Sequence, residues 1–230
     1  MNMPLKVLIA AADDSEAEAL RNIPGLVRTP GGFSIGSCDV TVIVTGIGGI
    51  ATAWSLTKWF SSNPLPDLAI NAGIAGSYRS DIGPGDVVMP VTDLFSDAGI
   101  ETDKGFLSLC EAGFESYKRF PFVKGRIIAE NIFVEKAAGF LRPVNAITVN
   151  TVTGTEATID RLRSKYDPDI ETMEGASFFY VCSKEKIPFI AFRSISNMVE
   201  PRNRRSWKIS LALEKLSESL SEYLTTFIDF

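Results

Sequence analysis

Short apolar runs rich in β-branched residues alternate along the chain with segments of helical periodicity. Runs of this length that lack strict alternation of apolar and polar positions predict buried strands. The predicted strands are 5–11, 39–46, 67–73, 86–95, 144–153 and 189–197. The predicted helices are roughly 15–22, 49–62, 155–165, 173–186 and 207–228. Residues Ile209, Leu213, Leu216, Leu220 and Tyr223 recur every three or four positions in the last of these, which indicates one packed face.

Strands without clean alternation, joined by helices, imply a sheet that is covered on both faces. We therefore predict an α/β fold, a three-layer αβα sandwich with a mixed, mostly parallel central sheet. The length of 230 residues and the apolar content of 45% favour a single domain over residues 1–230. The glycine- and charge-rich stretch 97–125 is predicted to be an excursion loop.

Charge and hydropathy exclude several classes of protein. The net charge is −5, and no basic run exceeds the Arg204–Arg205 pair, so binding to nucleic acid is not expected. The first apolar run is too short for a signal peptide and meets Asp13 and Asp14 at once. Nothing else approaches the ~20 apolar residues that cross a bilayer. We expect a soluble, cytoplasmic protein that does not bind membranes.

The chain contains no histidine, which is the commonest general base and metal ligand. Its chemistry must therefore use carboxylates, amides or hydroxyls. Three cysteines, Cys38, Cys110 and Cys182, are widely spaced without a metal-ligand pattern. They are predicted to be small core residues in a reducing compartment, and neither a metal nor another cofactor is expected.

Ligands of α/β proteins bind beyond the carboxyl ends of the strands, so the residues that follow each strand are the candidates for chemistry. Glu174 in "ETMEGA" opens an otherwise apolar helix and is a further candidate. The candidates at strand ends are Asp13, Asp14 and Glu16 after the first strand, "TGIGGIA" (45–51), "NAGIAGSY" (71–78), and Ser196 with Asn197 at the end of the last strand.

Two glycine-rich segments follow predicted strands. Gly46, Gly48 and Ala51 reproduce the spacing of a dinucleotide-binding fingerprint, but they follow the second strand and lack the acid expected about twenty residues later. A tight turn explains these glycines equally well. We predict a second glycine turn at Gly73 and Gly76, where a small ligand could approach the backbone.

Several motifs carry a resemblance to a known family. The segments "KVLIAAADDSEAEAL", "VTGIGGIATA", "IETMEGASFFYVC" and "IPFIAFRSISN" resemble, in order and spacing, the nucleoside phosphorylase/nucleosidase superfamily, in particular nucleosidases of the methylthioadenosine/S-adenosylhomocysteine type. "FSDAGIETDKGF", "TVNTVTGT" and "SNMVEPRNRRSWKI" look like the futalosine hydrolase branch. The resemblance implies hydrolysis of futalosine to hypoxanthine and dehypoxanthine futalosine in menaquinone biosynthesis. It also implies a homodimer or higher homo-oligomer.

The resemblance implies roles for particular residues. Glu16 matches the acid that activates water, Glu174 the acid that binds the ribose hydroxyls, and Met173 the apolar group under the sugar. Asn197 stands where adenine-specific nucleosidases carry an aspartate. An amide has no proton to release, but its NH₂ can donate to N7 or to a 6-oxo group, which favours hypoxanthine. The resemblance places Gly73, Ile74, Thr153, Gly154, Ser196 and Arg202 among the substrate-binding residues.

The implied substrate carries a benzoate at its 5′ side, and arginine is suited to pair with that carboxylate. Arg202 and Arg204 are candidates for this pairing, against the alternative that they are solvated charges near Glu200, and Arg79 is another possible cation. The residues alone leave other roles open, because Glu16 could be an exposed acid of a first helical turn and Glu174 a buried partner of Arg193. No aromatic residue occurs within 152–155, where adenine-type relatives stack one on the base.

Four other functions stay open. A phosphorylase is disfavoured, because Glu16 and Asn71 stand where phosphorylases of the superfamily place arginines. A nucleosidase of the methylthioadenosine or inosine type, a non-catalytic nucleoside-binding protein and a dinucleotide oxidoreductase are the alternatives.

Overall fold

The computed structural model describes residues 3–227. Its strands are β1 (Leu5–Ala11), β2 (Val27–Thr29), β3 (Gly32–Ile35), β4 (Cys38–Val44), β5 (Leu68–Ser77), β6 (Val87–Asp93), β7 (Gly99–Thr102), β8 (Gly105–Ser108), β9 (Phe122–Val123), β10 (Arg126–Ile128), β11 (Arg142–Thr148), β12 (Ile170–Thr172) and β13 (Phe189–Met198). Its α-helices are α1 (Asp14–Arg21), α2 (Gly49–Ser62), α3 (Ile132–Ala137), α4 (Glu156–Tyr166), α5 (Gly175–Glu185) and α6 (Ile209–Thr225). Two short 3₁₀ helices cover Glu115–Lys118 and Arg204–Ser206.

Strands β1, β4, β5 and β13 run parallel to one another. The sheet is mixed, because β12 lies antiparallel to β5, and β13 antiparallel to β6. Strand β11 pairs with both β12 and β6, so β5, β12, β11, β6 and β13 close into a ring. The predicted α/β class with a mixed central sheet is confirmed, and the ring is a feature that the pattern of apolar runs does not predict.

The central strands are buried because their residues are apolar on both faces. Leu68, Ala69 and Ile70 of β5 have no exposed surface, and helices pack against the sheet in two pairs, α1 with α6 and α2 with α5. In α6 the predicted apolar stripe is buried at Leu216, Leu220 and Tyr223, whereas Ile209 and Leu213 are only partly buried. The helix predicted over 207–228 begins at Ile209, and residue 228 lies outside the described residues.

Two predictions about connecting segments are wrong. The glycine turn predicted at Gly73 and Gly76 does not exist, because β5 continues through both residues to Ser77. The stretch 97–125 is not a plain loop, since β7 and β8 form a separate hairpin within it. The prediction failed there because short exposed strands carry little apolar signal, and all four residues of β7 are exposed.

Two of the three cysteines are core residues, as predicted, but Cys110, just after β8, is only half-buried. Within residues 3–227 no helix is long and apolar enough to cross a membrane. The part of the chain that the structure describes also contains no cluster of His, Cys, Asp and Glu side chains that could hold a metal ion.

Candidate active site

A cavity of about 260 Å³ lies beyond the carboxyl ends of β1, β5 and β13. This is the edge of the sheet at which the sequence predicts a ligand site. Six of the predicted site residues line the cavity, namely Glu16, Ile74, Met173, Glu174, Ser196 and Asn197. Arg204, a predicted candidate for the substrate carboxylate, also lines it, as do residues that the sequence did not single out for the site, among them Glu171, Trp207 and Ile209.

Glu16 is held in the first turn of α1 by the cap of that helix. The Asp13 side chain caps the helix, since its Oδ1 accepts a hydrogen bond from the Glu16 backbone N–H at 2.9 Å. The Glu16 carboxylate accepts two further backbone hydrogen bonds, from Ala12 N–H to Oε2 at 2.8 Å and from Ile74 N–H to Oε1 at 3.0 Å. Both oxygens are thereby oriented between β1 and β5.

Glu16 is buried, with 6% of its surface exposed, so the alternative of an exposed helix acid is wrong. Burial raises the pKa of its carboxyl group above the ordinary value. The positive charge of Arg193 and the two backbone hydrogen bonds oppose this rise in the pKa, and the nearby Glu174 adds to it. A carboxylate with a raised pKa is a stronger base than an exposed glutamate.

Arg193 lies behind Glu16 and is 1% exposed. Its guanidinium donates to Oδ1 of Asn71, and Asn71 in turn donates to the Ala10 carbonyl at 3.4 Å. Its charge also acts on Asp93, whose pKa burial raises to about 7. Arg193 makes no ion pair with Glu174 among the described residues, and its charge instead lowers the pKa of Glu16 and of Asp93.

Glu174 stands immediately before α5 and is also buried. Its Oε1 accepts a hydrogen bond from the Gly48 backbone N–H at 3.0 Å. Gly48 adopts a φ of 89°, a left-handed conformation that favours glycine. The glycine turn whose spacing resembles a dinucleotide fingerprint therefore directs its Gly48 N–H to the Glu174 carboxylate of the protein itself. Within residues 3–227 the other oxygen of Glu174 has no hydrogen-bond partner.

Asn197 owes its position to a bulge in β13. The register pairs Ile195 with Ala75 and then Asn197 with Gly76, so Ser196 is the extra residue. Bulges of this kind re-aim a side chain at a strand end. The Ser196 hydroxyl donates to Oδ1 of Asn197 at 2.8 Å, and Nδ2 donates one hydrogen to the Met198 carbonyl at 2.9 Å. The second hydrogen of Nδ2 stays available for a ligand.

A third acid, Glu171, lines the cavity and is 6% exposed. Its Oε2 accepts a hydrogen bond from the Tyr78 hydroxyl at 2.7 Å, and its Oε1 accepts one from the Thr153 backbone N–H at 3.1 Å. Burial raises the pKa of Glu171, and these hydrogen bonds counteract the rise. The sequence marks this residue only as a second acid in the "ETMEGA" segment, three positions before Glu174.

Four predicted substrate-binding residues lie outside the cavity. Gly73 is behind it, between Glu16 and Arg193. Thr153, Gly154 and Arg202 line an adjoining cavity of about 440 Å³, which shares Val149 and Val152 with the first.

The three candidate cations differ in position. The Arg202 guanidinium lies over the Trp207 ring, 5.8 Å from its centroid, whereas Arg204 lines the first cavity itself. Arg79 is engaged elsewhere, in ion pairs with Asp169 at 2.7 Å and Asp167 at 3.0 Å. Arg204 is therefore the candidate that faces the same space as Glu16 and Asn197.

Comparison with known proteins identifies the family. Residues 6–229 match the phosphorylase superfamily. The chain belongs to the phosphorylase superfamily. Futalosine hydrolase of Acidothermus cellulolyticus is 30% identical over 224 residues, which cover 95% of this chain and 90% of that protein. Futalosine hydrolase of Streptomyces coelicolor is 29% identical over 206 residues, or 86% of this chain and 82% of the other.

The fold of this superfamily member also matches solved structures. S-adenosylhomocysteine nucleosidase of Streptococcus pyogenes, solved in complex with 5-methylthiotubericidin, superposes with a TM-score of 0.78. The match covers 97% of this chain and 98% of that one, at 18% sequence identity. At that identity the similarity establishes the shared superfamily fold.

Gly73→Ala tests how closely the Glu16 and Arg193 side chains approach β5. A Cβ at this position would lie 2.4 Å from Nη1 of Arg193 and 2.7 Å from Oε1 of Glu16, so one of them must move. We expect the free energy of unfolding to fall by about 1–3 kcal/mol, as for other overpacked sites. Gly83→Ala is the matched control, because a Cβ at Gly83 meets nothing within 4 Å. Urea unfolding of both variants measures the difference, and equal stabilities would contradict this packing.

Proposed function

We propose that this chain is a purine nucleosidase that hydrolyses the N-glycosidic bond of futalosine and releases hypoxanthine. The observation that carries the proposal is the pairing of a buried carboxylate, Glu16, with a neutral amide, Asn197, in one cavity. The names of the two futalosine hydrolases to which the chain is similar support the same substrate. Of the other predicted functions, a methylthioadenosine-type nucleosidase is the nearest, and the amide at position 197 disfavours it.

Glu16 is the proposed general base. Water adds to the anomeric carbon of the ribose as the bond to N9 of the purine breaks, and Glu16 takes a proton from that water. Its carboxylate is already oriented by Ala12 N–H and Ile74 N–H, so little rearrangement is needed when the reaction begins. The raised pKa of this buried acid suits proton abstraction near neutral pH.

Asn197 is the proposed donor to the leaving purine. The bonding electrons pass to the purine ring, and a 6-oxopurine spreads that charge onto its own oxygen. A preorganised N–H donor then stabilises the developing anion without transferring a proton. Ser196 fixes the orientation of the amide through its hydroxyl, so that Nδ2 rather than Oδ1 is available to the base.

Glu174 and Met173 are the proposed sugar ligands. The Glu174 oxygen that lacks a protein partner can accept hydrogen bonds from ribose hydroxyls, and its negative charge favours the positive charge that builds on the ring during cleavage. Met173 supplies an apolar surface beside it. Gly73 and Ile74 contribute through the backbone, since Ile74 N–H orients Glu16 and Gly73 leaves room for it.

Hydrolysis is favoured over phosphorolysis by the charge of the cavity. A phosphate nucleophile requires cationic or clustered N–H donors. Among the cavity-lining residues that the structure describes, Arg204 is the sole cation, whereas Asp13, Glu16, Glu171 and Glu174 are acids. This balance disfavours a phosphate nucleophile and favours water.

We also propose that the protein acts as a homodimer or higher homo-oligomer. Ile47 lines the cavity, and 60% of its surface is exposed. On the adjoining helix α2, Ile50 is 87% exposed and Trp54 is 63% exposed. A cluster of exposed apolar side chains such as these three, next to a binding site, is typical of a subunit contact.

The cytoplasmic location stays a prediction from composition.

The activity is tested by incubating the purified protein with futalosine, inosine and methylthioadenosine, each with and without phosphate. We expect free hypoxanthine from futalosine at the same rate in both conditions, because water is the nucleophile. Chromatography of the released base measures the rate. A rate that depends on phosphate would indicate a phosphorylase, and ligand binding without turnover would indicate a non-catalytic nucleoside-binding protein.

Glu16→Gln tests the general base. The variant keeps the side-chain volume, so we expect it to fold and to bind ligand while kcat falls roughly 10²–10⁴-fold. In the parent protein, activity should decline on the acid side as Glu16 gains a proton, with a midpoint above the ordinary glutamate pKa. Glu18→Gln, an exposed acid on the same helix, is the control.

The acid limb of the pH profile needs its own control, because burial also raises the pKa of Asp93, to about 7. Asp93→Asn should leave the Glu16 limb in place, whereas Glu16→Gln should remove it. Full activity of Glu16→Gln would exclude Glu16 from the mechanism.

Arg204→Ala tests the proposed partner of the benzoate carboxylate. Arg204 lines the cavity together with Trp207, so we expect the variant to lose several-fold to a hundredfold in kcat/KM on futalosine, in line with about 1–3 kcal/mol for a charged hydrogen bond. The loss on futalosine methyl ester should be far smaller. Arg202→Ala is the matched comparison, since Arg202 faces the adjoining cavity. If only Arg202→Ala distinguishes acid from ester, Arg202 holds the tail, as the sequence suggested.

A further inference from the structure

Glu171 is a buried acid in the cavity that the proposed mechanism does not use. Tyr78 O–H and Thr153 N–H each donate to one of its oxygens. A carboxylate has about four acceptor positions, so two lone pairs remain after these bonds. Because the residue lines the cavity, its remaining acceptor capacity is directed to whatever occupies that space.

Glu171 and Asn197 lie on either side of the same glycine. The antiparallel ladder of β12 pairs Glu171 with Gly76, and the parallel ladder of β13 pairs Asn197 with Gly76. Side chains at paired positions of neighbouring strands project to the same face of a sheet. A Cβ on Gly76 would lie 3.3 Å from Nδ2 of Asn197 and 3.5 Å from Cγ of Glu171. The two side chains therefore converge over a residue that has no side chain of its own.

This pair presents an acceptor beside a donor. The edge of hypoxanthine presents, in order, the N1–H donor, the O6 acceptor and the N7 acceptor. Adenine presents an N1 acceptor next to a 6-amino donor, which is the reverse order. A carboxylate opposite N1 and an amide NH₂ opposite O6 or N7 are complementary to hypoxanthine. With adenine the carboxylate would face the N1 acceptor and an NH₂ at position 6 would face the amino donor, whereas N7 is an acceptor in both bases, so the carboxylate is the stronger discriminator.

We propose that Glu171 is a specificity-determining residue that accepts a hydrogen bond from the N1–H of a 6-oxopurine. Asn197 donates to O6 or N7 of the same base, and Tyr78 and Thr153 hold the carboxylate in place. This role rests on the proposed purine nucleosidase function and adds a second contact that selects the base. The Glu171 carboxylate would thus contact the base, whereas Glu174 contacts the sugar and Glu16 contacts the water.

The test compares 6-oxo and 6-amino substrates in two variants. Glu171→Gln keeps the volume but loses the charge and can turn an NH₂ donor toward the base. We expect the ratio of kcat/KM for futalosine over its 6-amino analogue to fall about 10- to 100-fold, the range for one hydrogen bond to a charged group. Tyr78→Phe is the matched comparison. It removes the 2.7 Å hydrogen bond that holds the Glu171 carboxylate while the carboxylate itself stays, so it should lower the same ratio by a smaller factor than Glu171→Gln does.

Binding of free bases to the parent protein gives an answer independent of the variants. Calorimetry should show hypoxanthine binding at least tenfold more tightly than 1-methylhypoxanthine, which has no N1–H. Glu171→Gln should reduce that difference. Equal binding of both bases, or an unchanged ratio of 6-oxo to 6-amino activity in Glu171→Gln, would overturn the role of Glu171. Failure of the parent protein to cleave any purine nucleoside would overturn the proposed function instead.

Discussion

The site depends on the absence of side chains at two positions of the central strand β5. Next to Gly73, the Glu16 carboxylate and the Arg193 guanidinium come so close that a Cβ would overlap both. Three residues further on, Gly76 leaves room for Asn197 and Glu171. Protein interiors are densely packed, so larger residues at positions 73 and 76 would occupy the space that these four polar side chains fill. The two glycines therefore let three separate elements deliver their polar groups to one cavity.

Burial of those groups is tolerable because each charged side chain has an opposite charge or a hydrogen-bond partner beside it. Arg193 has no route to water, and its charge lowers the pKa of both Glu16 and Asp93 against the opposing effect of burial. Asn71 binds the guanidinium and is itself held by the Ala10 carbonyl. Glu174 instead relies on a backbone N–H, from Gly48. One carboxylate is balanced by a charge and the other by a dipole, which leaves them in different electrostatic environments within the same cavity.

Much of the fold could be predicted from the sequence because the buried strands are long and apolar. β1 was predicted to the residue, and β13 to within one residue, since both are rich in apolar residues. Strands β2, β3 and β12 have only three or four residues each and were missed. The ring formed by β5, β12, β11, β6 and β13 depends on pairing between distant segments, which apolar periodicity does not encode.

The candidate site was predictable where a residue lies at the end of a strand, as Asn197 does, or at the start of a helix, as Glu16 and Glu174 do. Glu171 was missed because its importance comes from sharing Gly76 with Asn197, a relation that exists only after β12 and β13 have paired with β5. Trp207 was missed for a similar reason, and Arg204 was predicted only as one of several candidate cations. They reach the cavity through the loop between β13 and α6, and loop conformation is set by tertiary contacts such as the hydrogen bond from Lys208 N–H to the Ser196 carbonyl at 2.7 Å.

The bulge in β13 connects this geometry to the choice of base. Without the extra residue, Ser196 would pair with Gly76, and the Asn197 side chain would turn to the opposite face of the strand. With the bulge, the Ser196 hydroxyl is used to hold Oδ1 of Asn197, which fixes the amide with its donor available to the cavity. An amide fixed in this way cannot protonate a purine, so it suits a base that carries its own negative charge when it leaves. The register of a buried strand, rather than a mobile loop, thus sets the hydrogen-bonding polarity that the base must match.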